Sequence, residues 1–479
     1  MNSSFRTDIL GYFFIFLFLS LIILIRPINH DEAYYTYSSL AMTEGKLPYI
    51  DYLFHQTPLM IFVYIPVSFY GISSLILGRM FTAVLLMLSY YLIDRYFIKP
   101  KYGNKYHYFF LTLFFLNSFL VNWTTVIKVY SLSILLLTIA LINFNKFIEK
   151  PSESKISIFI CFLSLSLLSL SRIVFAINIL VFIIAFIFIL FKRSERKAAL
   201  PGIALSGLLI PYILFFSIFS SHLQLVYENI VTANMVIRQN YENLVWGHLE
   251  MTAVFFLPQN LTLMIIIFKV RKFDFFEKII IVNILLFFIL HLNTQMLAEY
   301  LAPVLPLMII LAIRKWDSFL EISKFLQKFS HRGRIKFITI IYILFIPFGI
   351  TYLKVPFEGG KFMFNPIQLN SLLSKVNSLD GKYLLAGWEG YSVYSNKIPV
   401  APDQYQSFYL QDYYDSVPEN LRKMMMTDED YKELIRNGTA DIIVHEPGNP
   451  IHLKGFKEDI ELFYNQEFEK DGIIVYVRK

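Results

Sequence analysis

Apolar runs long enough to cross a bilayer recur along the first three quarters of this 479-residue chain. They lie at about 8–26, 78–98, 106–122, 128–148, 156–171, 173–191, 201–220, 251–268, 279–296, 299–314 and 335–353. A hydrocarbon core of about 30 Å is crossed by roughly 20 apolar helical residues, so the runs read as transmembrane helices. With 56% hydrophobic residues and a mean hydropathy of +0.54, no soluble fold of this length could bury the apolar surface. Residues 9–25 resemble a signal sequence, but no small-residue cleavage site follows, which predicts an uncleaved anchor. The single cysteine, Cys161, sits inside an apolar run and excludes disulfides and thiolate metal sites.

The segment 58–77 (PLMIFVYIPVSFYGISSLIL) also carries no charge. If it does not cross, the N-terminus and the loops near 94–106, 145–156, 192–200, 269–278 and 314–336 share one face and hold 23 Lys and Arg. The other face then holds six before the tail: Arg26, Lys46, Arg79, Lys128, Arg172 and Arg238. That asymmetry marks the basic face as cytoplasmic, and the net charge of +7 therefore reports topology rather than nucleic-acid binding. Pro66, Gly71, Ser68, Ser73 and Ser74 make 58–77 a poor lipid-exposed span, and a helix lying in the outer interface is expected instead.

The expected fold is a polytopic α-helical membrane protein of about eleven spans, thirteen at most. Residues 1–353 form the membrane domain, with 28–77 as an external first loop, and 354–479 form a small exocytoplasmic α/β domain. In that polar tail KYLLAGW (382–388), ADIIVHE (440–446) and GIIVYVR (472–478) read as strands, and DEDYKELIRNG (428–438) as a helix with a glycine stop. No internal repeat is visible.

The first loop, INHDEAYYTYSSLAMTEGKLPYIDYLFHQTPL (28–59), concentrates chemistry in a chain with only 16% charged residues. Asp31 and Glu32 follow His30 just beyond the first run. Charges there often only mark a helix end. The same loop, however, brings Asp51, His55 and Gln56, and Tyr34, Tyr35, Tyr37, Tyr49 and Tyr52 offer surfaces for stacking a sugar. A partly desolvated carboxylate at the interface gains basicity, which suits Asp31 to take a proton from a hydroxyl or amine. Glu32 would orient Asp31, or join it in holding a divalent cation. Arg172 stands between uncharged spanning sequences on the outer side. Its guanidinium either snorkels to headgroups or clamps a phosphate, and Lys128 is a similar outer-edge cation. Glu299 and Tyr300 open the tenth run on that face, where a carboxylate is expensive and commonly functional, although a helix-start acid also gains from the dipole. His291 suits an interhelical hydrogen bond better than catalysis. Arg238, Tyr241, Glu242, Trp246 and His248, in the loop 221–250, are either acceptor contacts or an ordinary solvated loop. Asn122, Asn260 and Asn437 carry chance-level glycosylation sequons.

DEAYYTYSSLAMTEGKLPYIDYLFHQTPL, followed by the fyG…l..R pattern that ends at Arg79, resembles the first external loop of C-type membrane glycosyltransferases. The nearest subgroup comprises bacterial relatives of protein O-mannosyltransferases, which include lipid A aminoarabinose transferases. SLSRIVFAINIL (169–180), EYLAPVLPLMIIL (299–311) and YLLAGWEGYSVYSNKIPV (383–400) extend the likeness loosely over the chain. The resemblance implies a polyprenyl-phosphate-sugar donor, an outer-leaflet acceptor and inversion at the anomeric carbon. It also implies Asp31 as catalytic base, a donor-phosphate role for Arg172, and a bacterial cytoplasmic membrane location. It places 58–77 beside the membrane rather than across it. Two departures stand out. TTVIKVYSL (124–132) lacks an acid that some relatives carry, and Met296 or a neighbour replaces a lysine of the aminoarabinose transferases. The sugar and the acceptor, whether protein, lipid or polysaccharide, stay open.

A transporter or flippase of lipid-linked glycans would use internal symmetry and midplane charges. A glycan ligase or polymerase would place its residues in a large late loop, and a degenerate non-catalytic relative would act as a scaffold. No cofactor is required by the expected chemistry. The sidedness has a direct test: with Cys161 replaced, single cysteines at positions 46 and 101 should react with an impermeant thiol reagent from opposite sides of the membrane.

Overall fold

The computed structural model describes residues 3–151, 154–192, 199–239, 249, 252–293, 298–344, 346, 364–400, 414–446 and 456–479. A helix occupies each of the eleven apolar runs over its described part. Five helical stretches are long and apolar enough to cross a membrane among the described residues: Ile72–Tyr102, Tyr130–Glu149, Ile173–Lys192, Ala199–Ile218 and Phe275–Leu292. Lys155–Ser171 and Leu257–Lys269 are apolar but shorter.

The first helix, α1 (Ser3–Ile25), turns through 102° into α2 (His30–Thr43). Pro27 cannot donate to a continuing helix, and Asn29 starts the new one. Its side chain accepts from Asp31 N–H while Glu32 reaches back to Asn29 N–H, a complete capping box. Next come α3 (Leu59–Tyr64), a 3₁₀ turn at Ile65–Val67, and α4 (Ile72–Ile93). The 58–77 segment is therefore not one interfacial helix. It breaks between Ser68 and Gly71, where Gly71 takes φ 110°, and residues 72–77 already belong to the next long helix.

Burial within the first loop also differs from expectation. Tyr34, Tyr35, Tyr37, Tyr49 and Tyr52 are all buried, leaving no open stacking surface. Three of the hydroxyls donate inside the loop: Tyr35 to Gln56 Oε1, Tyr49 to the Gln56 carbonyl at 2.6 Å, and Tyr52 to the Ser38 carbonyl at 3.0 Å. The rings pack on one another and on Phe54 and Phe219, and the tail covers other parts of the same loop. Trp388 Nε1 donates to the His30 carbonyl at 3.1 Å, Gly71 N–H to the Val393 carbonyl, Ile28 N–H to the Phe364 carbonyl, and Thr36 and Tyr394 share a hydroxyl contact.

The tail itself is a five-stranded mixed sheet in the order β2-β1-β3-β5-β4, from β1 (Tyr383–Ala386), β2 (Ile398–Pro399), β3 (Ile442–His445), β4 (Tyr464–Lys470) and β5 (Ile473–Arg478). β1 runs parallel to β2 and β3, and β5 antiparallel to β3 and β4. The three expected strands and the helix Asp428–Arg436 are present. Strand β4 was not foreseen, since its outward face is polar and exposed. The 353/354 domain boundary lies outside the described residues.

Grouping of the loops follows the charge count. Lys101 pairs with Asp317 at 3.1 Å and Lys315 with Glu277 at 2.5 Å, so loops 94–106, 269–278 and 314–336 meet at one end of the bundle. The first loop and the tail meet at the other.

At the α1–α2 corner Glu32 and Arg79 form a bidentate pair with no exposed side-chain surface. Breaking such a pair strands a buried charge. Arg79→Met should cost on the order of 3–5 kcal/mol, read as a lowered thermal melting temperature in detergent. Arg79→Met combined with Glu32→Leu should recover part of that loss.

Candidate functional site

Asp31 sits in the first turn of α2, where the helix dipole favours an anion. Neighbouring helical residues project about 100° apart, so Asp31 and Glu32 diverge. Glu32 turns inward. Its Oε1 accepts from Arg79 Nε at 2.8 Å and Ile127 N–H at 3.0 Å, and its Oε2 from Arg79 Nη2 at 2.6 Å and Asn29 N–H at 2.8 Å. Asp31 turns towards Lys128, with 2.8 Å between Oδ2 and Nζ.

From Lys128 a polar chain leads into the protein. Its ammonium also donates to Glu299 Oε2 at 2.9 Å and lies 5.0 Å from the Trp123 ring centroid. Tyr130 donates to Glu299 Oε1 at 2.7 Å and accepts from Arg172 Nη1 at 2.9 Å. The Arg172 guanidinium stands 3.8 Å from Glu299 Oε1 and 4.6 Å from the Tyr300 ring centroid, a cation–π distance. Lys128, Arg172 and Glu299 each stand where a long helix is interrupted or has yet to begin. Lys128 precedes Tyr130–Glu149, Arg172 is extended between Lys155–Ser171 and Ile173–Phe175, and Glu299 lies in the 3₁₀ turn Ala298–Leu301 ahead of Val304–Ile322. Such breaks let a side chain cross between helices rather than lie along one.

Exposure separates the members. The side chains of Lys128, Glu299 and Arg172 are 5–7% exposed, and that of Asp31 is 34% exposed. Asp31 is thus the open end of an otherwise buried cluster of two cations and two carboxylates. Burial would lift the Asp31 carboxyl, but Lys128, by charge and hydrogen bond, with Arg172 and His30 behind it, outweighs burial and holds it below its ordinary value. The expected gain in basicity is therefore absent in this state: the cations, not the interface, set it.

The other sequence candidates fall around this cluster. His30 is held edge-on to Trp388 at 5.7 Å between ring centroids. Burial lowers its pKa against the opposing pull of Glu446 and Asp31. Asp51 Oδ2 accepts from Leu47 N–H at 2.6 Å and shapes the turn before it. The His55 N–H donates to the Tyr34 hydroxyl at 3.1 Å. Its ring is buried with neither nitrogen hydrogen-bonded among the described residues, and burial pushes its pKa down to about 4. Gln56 is the acceptor of Tyr35. His291 meets Thr252 Oγ1 at 2.9 Å, the interhelical role expected for it. Asn122 and Asn260 are buried. Tyr241, Glu242, Trp246, His248, Met296 and the side chain of Arg238 lie outside the described residues.

Two participants were not singled out from sequence. Tyr130, which bridges Arg172 to Glu299, carries no local signal beyond standing two residues after Lys128. Arg79, the partner of Glu32, was visible only as one of the six cations counted on the outer face and as the last letter of the pattern fyG…l..R. No group of three or more His, Cys, Asp or Glu is gathered for a metal ion among the described residues.

Pairing that lowers the Asp31 and Glu32 carboxyls stabilises the fold above the ordinary carboxylate range, and the contribution is lost as pH falls through their folded values. The melting temperature should therefore fall on acidification from neutral pH. The curve of Asp31→Asn should be flatter over the acidic window, measured by scanning fluorimetry.

No protein-family model and no curated protein matches the chain. Solved structures do. The ArnT of Cupriavidus metallidurans bound to undecaprenyl phosphate superposes with a TM-score of 0.65 at 12% identity, covering 99% of this chain and 98% of that one. The same protein in the apo state gives 0.60 at 11% identity with the same coverage. ArnT is a lipid A aminoarabinose transferase. At this identity the likeness establishes the fold: a mostly helical membrane architecture with a small C-terminal sheet domain, as in ArnT.

Proposed function

From the ArnT-like fold as premise, we propose that this protein is a membrane glycosyltransferase that moves a sugar from a polyprenyl-phosphate donor to an acceptor, with inversion at the anomeric carbon. The observation that carries the reading is the partly open Asp31 set against the buried Lys128–Arg172 cation pair. The neighbour bound to undecaprenyl phosphate supports a lipid phosphate as the leaving group. The lipid tail would lie between helices, with the donor phosphate against Lys128 and Arg172.

The chemistry follows from charge. Asp31 takes the proton of an acceptor hydroxyl or amine as that atom attacks the anomeric carbon. The carbon–oxygen bond to phosphate breaks, and the bonding pair leaves on the phosphate oxygen. A sugar phosphodiester carries one negative charge and the departing monoester up to two. The cations therefore bind the transition state more strongly than the ground state, which is what accelerates a reaction. Phosphate also competes with Asp31 for Lys128. Donor binding loosens the ion pair that lowers the Asp31 carboxyl and returns basicity when an acceptor needs it. Glu299 and Tyr130 hold the two cations apart and in place before the donor arrives.

Glu32 is assigned a structural role, since all its hydrogen bonds anchor the corner that carries Asp31. With Glu32 committed to Arg79, Asp31 alone of the pair is left for a divalent cation, and the reaction is written without one. A flippase is less well supported, because these charges collect at one end of the bundle and not at its midplane.

Transfer from a radiolabelled polyprenyl-phosphate sugar in membranes tests the assignment. Asp31→Asn should lower kcat by roughly 10²- to 10⁴-fold, the range for loss of a general base. Arg172→Ala should also raise the apparent KM for the donor. Full activity in a folded Asp31→Asn protein would remove Asp31 as the base.

A further inference from the structure

Helix Val304–Ile322 begins just after Glu299 and carries a second polar site far along its length, at Arg314 and Lys315. At about 1.5 Å per residue, roughly 16 Å of helix separates Val304 from Lys315. This second site therefore lies towards the opposite end of the bundle from Asp31, the end where the Lys- and Arg-rich loops meet.

A cavity of about 720 Å³ opens there, walled by the link 269–274, by Glu277, and by Lys315, Ser318, Glu321 and Ile322. Its acidic wall is already neutralised. Lys315 Nζ lies 2.5 Å from Glu277 Oε2 and 2.6 Å from the Lys272 carbonyl oxygen. Arg314 reaches Glu277 Oε1 at 3.3 Å and Asp274 Oδ2 at 2.5 Å. The rim is different. Lys269, Arg271 and Lys272 are exposed and form no ion pair among the described residues, the nearest contact being Lys269 Nζ at 6.0 Å from the Phe319 ring centroid. Exposed Glu321 is the one lining carboxylate not paired with a cation among the described residues, so about two positive charges remain uncompensated. Ile322 in the wall is 49% exposed, and Phe268, directly before Lys269, and Phe325, three residues after Ile322, are 57% and 54% exposed.

A rim of unpaired cations over a polar floor suits a phosphate, and exposed apolar side chains beside it suit acyl chains. Basic pockets between helices at a membrane face recognise anionic headgroups by this combination. We propose that the cavity bounded by Lys269, Arg271, Lys272 and Lys315 binds the headgroup phosphate of an anionic phospholipid, with its acyl chains against Phe268 and Ile322. A soluble nucleotide or free phosphate would share the headgroup chemistry but gain nothing from the apolar flank. The proposal stands independently of the transferase reading, since it uses none of the same residues.

The test uses the purified full chain in detergent, titrated with phosphatidylglycerol, phosphatidylcholine or inorganic phosphate and read by native mass spectrometry. Phosphatidylglycerol should bind saturably and phosphatidylcholine should not. The Lys269→Gln/Arg271→Gln/Lys272→Gln variant should weaken phosphatidylglycerol binding roughly tenfold or more, while Arg172→Ala should leave it unchanged. Equal retention of both lipids, or unaltered binding by the triple variant, overturns the proposal. So does loss of binding in Arg172→Ala, which would move the lipid to the other end. Inorganic phosphate binding as tightly as phosphatidylglycerol, with the same dependence on the three cations, assigns the site to a soluble anion and also overturns it.

Discussion

A guanidinium buried away from water must find an acceptor for each of its five N–H groups, and Arg79 does so across three chain segments. Two go to the Glu32 carboxylate and three to the carbonyls of Ile23, Arg26 and Pro27 at the end of α1. Glu32 in turn accepts from Asn29 N–H at the start of α2 and from Ile127 N–H. A single buried ion pair thus joins α1, α2, α4 and the link that carries Lys128. The positions of Asp31 and Lys128, which flank Glu32 and Ile127 in sequence, follow from it. Buried ion pairs are poor evidence of net stability. Here the pair's evident effect is geometric: it fixes the corner on which the open carboxylate stands.

The cluster beside that corner follows a different logic. Lys128, Arg172, Glu299, Tyr130 and Asp31 satisfy one another, so two cations are kept buried without unpaired charge. In the proposed reaction an incoming phosphate would replace carboxylate partners of these cations rather than fill a void. The tail contributes by covering α2: Trp388 holds the backbone of His30, directly before Asp31. The sheet domain is therefore part of the site's scaffold and not an appended module.

Much of the fold was legible in the sequence because membrane burial leaves a strong local record. Helices fill the apolar runs over their described parts, and three of the loops grouped by Lys and Arg count meet in space. Of the two short helices of the first loop, α2 was not legible, and α3 was legible only as part of a longer helix over 58–77. α2 is buried through most of its length with only a weakly apolar sequence, because a distant domain covers part of it, and α3 stops at Tyr64, well before the positive φ of Gly71 that opens α4. Of the site, Asp31, Lys128, Arg172 and Glu299 each stood out as a charge in an expensive place. Their mutual contact could not be read, since Lys128 and Glu299 lie 171 residues apart. The tyrosines of the first loop read as open surfaces because composition reports ring chemistry, not exposure.

By itself, the sequence determined the membrane class, the grouping of loops by charge, the polar sheet-bearing tail and the residues whose charge demanded an explanation. These properties follow from hydropathy, periodicity and the cost of charge in hydrocarbon, all of them local. Only the tertiary structure decided which carboxylate faces outward and which is locked inside. Asp31 and Glu32 are adjacent, equally charged and share one helical turn, so nothing local separates them. What does is the placement of Arg79 against Glu32 and of Lys128 against Asp31, and that depends on how three distant segments meet.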